Sequence, residues 1–163
     1  MKKIIITIML ALPMLASAQK FGHINTQELF AQMPEVAKEK MKMDTIQNQY
    51  ENQLASMNEE IQKKAQDYQA QEATMADAVK QIRQKELQEM QQRIQLFYQT
   101  AEQDIQKKQQ ELLAPVHEKM AKAIKAVGER DGYTYIFDSQ AMVHIGADAI
   151  DATPAVKKEL GIK

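Results

Sequence analysis

The residues of this chain that could do chemistry are three histidines, one Asp-Ser pair and a few lysine clusters, and none stands at a working spacing. His23, His117 and His144 lie far apart in the sequence, with no second His and no Cys at a metal-ligand interval. A zinc site would require strand pairing to bring His23 to His144. Cysteine is absent, which removes thiolate nucleophiles and thiolate ligands. Asp138 and Ser139 are adjacent, but serine catalysis needs a positioned base and an oxyanion hole, and no G-x-S-x-G turn is present. The glycines form no phosphate-binding pattern. Lys107-Lys108 and the series Lys119, Lys122 and Lys125 read as a solvated helix face. The inventory points away from an enzyme, and no cofactor or metal is expected.

The chain instead holds 11 methionines. Met41, Met75, Met90 and Tyr98 are hard to place together on a single two-helix seam, and flexible thioethers suit surfaces that must accept many shapes. They are candidate contacts for an unfolded partner. The plainer reading assigns most of the Met and aromatic positions to the inside of a hairpin. A second set, Phe21, Ile24, Tyr135 and Phe137, falls on short β-prone runs and is the candidate oligomerisation set.

The elements that must position these residues follow from the breakers. Between Pro34 and Pro115 there is no glycine and no proline, and Gln, Glu, Lys, Ala and Met dominate, so the stretch is expected to be helical throughout. Met43, Ile46, Tyr50, Leu54, Met57, Ile61, Ala65 and Tyr68 recur at alternating steps of three and four, the spacing of a coiled-coil seam. A second stripe, Val79, Ile82, Leu87, Met90, Ile94, Phe97, Ala101, Ile105 and Leu112, runs in a shifted phase. The phase is lost between Ala70 and Ala78, where Thr74 and Asp77 are available as caps. Two antiparallel helices, roughly 35–73 and 77–130, are expected, with a tip near 74–77 and Pro115 inside the returning helix. Strands are expected at Phe21 to Thr26 and, after a stop at Asp131-Gly132, at Tyr133 to Asp138. A third is expected at Met142 to Ile145, completing a hairpin. Thr153 and Pro154 read as the start of a final helix over Ala155 to Leu160.

The resulting fold class is mainly α with a small β body: a long antiparallel coiled-coil hairpin, 35–114, inserted in a short-stranded oligomerisation body made of 19–34 and 115–163. So few strands make a core too small to stand alone, and association is the expected remedy. Residues 1–18 carry Lys2 and Lys3, an apolar run from Ile4 to Leu15 and Ala16-Ser17-Ala18, the pattern of a cleaved export signal. The apolar run is shorter than the roughly 20 residues of a bilayer span, so no stable membrane insertion is expected, although the same residues could serve as an uncleaved anchor. Loss of Lys2 and Lys3 would leave 19 basic residues against 22 acidic ones, a formal charge of −3. That balance is not that of a nucleic-acid binder.

The leader, the strand ending near Asn25, Gln27-Glu28-Leu29-Phe30 entering a Gln- and Lys-rich hairpin, and the return Gly132-Tyr133-Thr134-Tyr135-Ile136-Phe137-Asp138 together resemble the Skp/OmpH family of periplasmic chaperones. The resemblance covers the whole chain after the leader and rests on order and length. It implies a jellyfish-like homotrimer in which strands of three chains form a central body and three hairpins surround a cavity. Unfolded outer-membrane protein precursors would be held there without ATP and kept from aggregating. Many members are strongly basic along the arms. This chain is mildly acidic and carries Glu72 and Asp77 at the tip, which speaks against lipopolysaccharide binding and leaves the apolar part of the mechanism intact. The competing class is a structural or adaptor protein of the cell envelope that docks a partner through the hairpin tip.

Overall fold

A computed structural model describes residues 19–162. The export signal read at 1–18 lies outside the described residues. The order of elements is β1 (Phe21–Ile24), α1 (Thr26–Gln32), α2 (Pro34–Gln71), a 3-10 turn (Glu72–Thr74), α3 (Asp77–Asp131), β2 (Tyr135–Asp138), a second 3-10 turn (Ser139–Ala141), β3 (Ile150–Asp151) and α4 (Thr153–Leu160). The fold is mostly helical, with one small sheet. It divides into two compact units: the described residues up to Thr26 with Lys122–Gly161, and Gln27–Ala121.

The first unit is built on a three-stranded sheet in the order β2-β1-β3, parallel throughout. Phe21 pairs with Tyr135 and Ile24 with Asp138, while Gly22 pairs with Ile150 on the other side. Each ladder extends by one backbone bond: Thr134 N–H donates to Lys20 O at 2.7 Å and Ala152 N–H to His23 O at 2.8 Å. Ile24, Ala123, Val127, Ala152 and Val156 are buried and form this unit's core, with Val127 and Val156 fully enclosed. Gly128 approaches Ile136 and brings the end of α3 onto one sheet face.

The expected third strand at Met142 to Ile145 is corrected here. That segment is irregular, and the third strand is Ile150–Asp151. The cause is the direction of pairing. A hairpin would set the third strand antiparallel beside β2, whereas β3 lies parallel on the far side of β1, so residues 142–149 serve as the return path.

Helix ends are set locally. Gly132, at φ 70°, takes the left-handed position after α3, and Tyr133 N–H donates to Gly128 O at 2.9 Å, closing a Schellman turn. The cap assigned to Thr153 is also corrected. Thr153 is the first residue of α4, and the Asp151 carboxylate accepts from its N–H at 2.8 Å, so the capping oxygen comes from β3. Thr74 likewise does not open α3; its hydroxyl donates back to Gln71 O at 3.0 Å, satisfying the end of α2.

In the second unit α2 and α3 supply the seam. Met43, Met90 and Ala101 are buried, and Ile46, Tyr50, Leu54, Met57, Ile61, Ala65, Ile94 and Phe97 are half-buried, matching the three-four spacing. Tyr50 and Phe97 meet across it with ring centroids 5.8 Å apart. The stripe does not extend to Val79 and Ile82, which are 42% and 65% exposed. The five-residue step from Ile82 to Leu87 already broke the period. Near the tip the seam turns polar: Lys64 pairs with Glu86, Arg83 joins the same carboxylate at 2.9 Å, and Tyr68 donates to Glu72 at 2.9 Å while accepting from Gln84. Lys64 and then Arg83 hold the Glu86 carboxyl below its usual range. Away from the tip, Leu29, Met33, Val116 and Met120 are buried, Phe30 stacks on His117 at 4.3 Å, and Lys119 pairs with Glu35.

Candidate functional site

Two surfaces carry exposed apolar side chains in organised form. The first is one face of the sheet. Side chains alternate along a strand, so Gly22 and Ile24 point one way while Phe21 and His23 point the other, together with Tyr135 and Phe137 from the paired register. The three aromatic rings make a closed set, Phe21–Tyr135 at 6.0 Å, Phe21–Phe137 at 6.4 Å and Tyr135–Phe137 at 5.8 Å between centroids, within the range of favourable ring pairs. They remain 46%, 57% and 44% exposed for Phe21, Tyr135 and Phe137. Parallel sheets are normally covered on both faces, so this is an unusual amount of aromatic surface.

Ile24 does not belong with them. It is 2% exposed and sits in the unit's own core, so its assignment to the oligomerisation set is corrected. At the rim of the sheet, Thr26 Oγ1 donates to Asp138, and this bond, aided by the Gln140 N–H, holds the Asp138 carboxyl below its ordinary range. Burial pushes Asp151 upward, but the hydrogen bonds from Thr153 and the nearby His23 and Lys157 together outweigh it, and its carboxyl also ends below that range. Behind the aromatic face, Lys20 lies over the Tyr133 ring at 4.0 Å and donates to Asp131 O at 2.9 Å. Tyr133 in turn covers Gly22, where a Cβ would come within 2.6 Å of the ring. This stack was not foreseen; the signal for it was a lone glycine inside a β-prone run.

The second surface is a flank of the hairpin. Two adjoining depressions, about 460 and 500 Å³, share Leu54 and Tyr98. Ile94, Ala101 and Ile105 complete an apolar floor, and Gln47, Gln95, Gln99 and Gln106 supply amides along it. Tyr50 anchors one end, its hydroxyl donating to Asp104 Oδ2 at 2.6 Å; that bond raises the phenol above its usual range.

The four candidate contact residues divide. Met41 and Tyr98 are 64% and 57% exposed, and Met75 is half-buried in a cavity of about 400 Å³ at the tip, beside Tyr68 and Leu87. Met90 is 5% exposed in the seam, where the second stripe put it between Leu87 and Ile94, so it is not available as a surface contact. The structure does not gather the four into one site. Leu96, at 65% exposed, adds an apolar surface position not singled out from the sequence. Among the described residues, no three His, Cys, Asp or Glu side chains cluster as metal ligands would, and no helix is long and apolar enough to cross a membrane.

This architecture is shared. The chain is 26% identical over 151 residues to the chaperone protein Skp of Pectobacterium atrosepticum, covering 88% of this chain and 87% of that protein. Its fold matches the crystal structure of an OmpH-like outer membrane chaperone from Caulobacter crescentus CB15 with a TM-score of 0.78 at 18% identity, over 87% of this chain and 83% of that one. The family model for OmpH-like outer membrane proteins matches residues 20–160, and the chain belongs to that family.

Proposed function

We propose that this protein is an ATP-independent periplasmic holdase that binds unfolded outer-membrane protein precursors and keeps them from aggregating. Both relatives are described as chaperones and neither as an enzyme. The observation that carries the reading is the hairpin flank around Tyr98: a shallow apolar floor bordered by amide side chains. Many weak contacts of this type hold an extended chain without fixing it in one pose. Assembly into a homotrimer through the aromatic face formed by Phe21, Tyr135 and Phe137 would set several such flanks around one client. The leader at 1–18 fits delivery to the periplasm. The mild acidity of the chain argues against a role for lipopolysaccharide.

The test is dilution of a denatured outer-membrane β-barrel into buffer with and without the protein, followed by light scattering in the absence of nucleotide. Suppression is expected, and it should weaken when Tyr98 and Met41 are both replaced by Gln. Unimpeded aggregation at a threefold excess of trimer would refute the reading. The exposed Val79 and Ile82 beside the tip favour, as a second reading, end-on docking of an envelope partner. In that case Val79→Gln with Ile82→Gln would abolish function and Tyr98→Gln would not.

A further inference from the structure

We infer that the Tyr98 groove prefers basic clients: extended apolar segments that carry a Lys or Arg. This rests on the holdase reading. The groove is lined by one carboxylate from each helix, Glu51 on α2 and Glu102 on α3, and by no Lys or Arg. Both carboxylates are exposed, and neither has an ion-pair partner among the described residues. Lys108, close enough to act on Tyr50 and Asp104, is held by Glu111 at 2.9 Å.

Several carboxylates elsewhere on the hairpin are paired, while Asp44, Glu59, Glu60 and Asp67 are, like the groove pair, in no ion pair among the described residues. Glu86 is held by Lys64 and Arg83, Glu111 by Lys107 and Lys108, and Glu39 by Lys42. What sets the groove apart is the combination of an apolar floor with two carboxylates and no Lys or Arg in its lining. The dimensions suit a strand. From Gln47 to Asn58 the helix rises about 16 Å, which is room for about five extended residues. Gln and Asn amides both donate and accept, so they can meet the free backbone groups of such a segment whatever its sequence. The apolar floor takes alternate side chains, and the carboxylates favour a cation among the remainder while disfavouring an anion.

Exposed ion pairs are weak, so the preference is expected to be modest, roughly fivefold between matched peptides at low ionic strength, and to shrink as salt screens it. The test uses two dye-labelled peptides of alternating Val and Thr, identical except that one carries two Lys and the other two Glu at the same positions. Binding to the full chain is read by fluorescence anisotropy. The Lys peptide should bind about fivefold more tightly at low salt, and the difference should close near 0.3 M salt. Glu51→Gln with Glu102→Gln should remove the preference, with helicity unchanged by circular dichroism. Equal affinity for the two peptides overturns the inference, as does a preference that survives the double substitution or an absence of binding by either peptide. Barrel-aggregation assays run on the same samples separate the two levels. Full protection with no charge preference removes only the groove assignment, while absence of protection removes the holdase reading itself.

Discussion

Replacing Phe137 with Ala tests whether the aromatic sheet face is an assembly surface. A Phe side chain offers about 200 Å² to burial, and Phe137 is 44% exposed in the single chain, so about 90 Å² is left for a partner to cover. At about 25 cal/mol per Å² this amounts to roughly 2 kcal/mol per chain, or about 6 kcal/mol over three chains. The association constant for three chains would fall by about four powers of ten. Because the midpoint concentration of a trimer varies as the inverse square root of that constant, the concentration at which half the chains are assembled should rise on the order of a hundredfold. Sedimentation equilibrium or light scattering over a dilution series reads this directly, with circular dichroism to show that the helices persist. The ring also touches Phe21 and Tyr135 within its own chain, so some loss of thermal stability is expected as well. If the unmodified chain is a folded monomer at micromolar concentration, or if Phe137→Ala dissociates at the same concentration as the parent, the face is not an assembly surface.

Three other outcomes are expected. Gly22→Ala would drive a methyl group into the Tyr133 ring, lowering stability by about 1–3 kcal/mol in thermal unfolding, and Tyr133→Leu in the same chain should restore part of the loss. Asp138 is held below its ordinary pKa first by Thr26, so its stabilisation is complete above the unfolded carboxylate value and is lost as pH falls through the lower folded value; Thr26→Val should move acid unfolding to higher pH. Tyr50 is raised by Asp104, so the stabilisation from its neutral phenol is complete below the unfolded phenol value and is lost as pH rises through the folded one; in an ultraviolet alkaline titration, Asp104→Asn should bring one of the 5 tyrosines down toward the normal range.

The helical hairpin was legible because its signals are local and repeated. The absence of Gly and Pro, together with the three-four stripe from Met43 to Tyr68, marks α2 before any tertiary contact is considered. Gly132 marks the end of α3 for the same reason, since only a residue without a side chain enters the left-handed region freely. The sheet was legible only in part. The aromatic and β-branched residues of β1 and β2 identify strands, but whether neighbours run parallel depends on residues far away in the chain. Met142 to Ile145 has better β-forming residues than Ile150–Asp151, yet pairing with β1 selects the latter. The candidate binding residues were read from composition, which places Met on a helix but does not say which side. Met90, already part of the second stripe, is on the buried side, and Met41, outside both stripes, is on the open one. The charge of the Tyr98 groove was hidden for a related reason: Glu51 and Glu102 share a surface only once the helices are set in register.

The pairing of Phe21 with Tyr135 also imposes an order on biogenesis. The central strand is made first, but both of its neighbours come from the last part of the chain, so β1 has no partner strand until residues 135–138 have been made and no second one until residues 150–151. The hairpin joins stretches adjacent in sequence and can form early, whereas the sheet must await closure of a very long loop. A chain broken off between α3 and β2 would hold Phe21 without Tyr135 and Phe137, and so would lack the three-ring face. Such a fragment would keep the hairpin and, if the face is the assembly surface proposed above, lack the means to join an assembly. If that face is the assembly surface, the topology admits only chains made at least through β2.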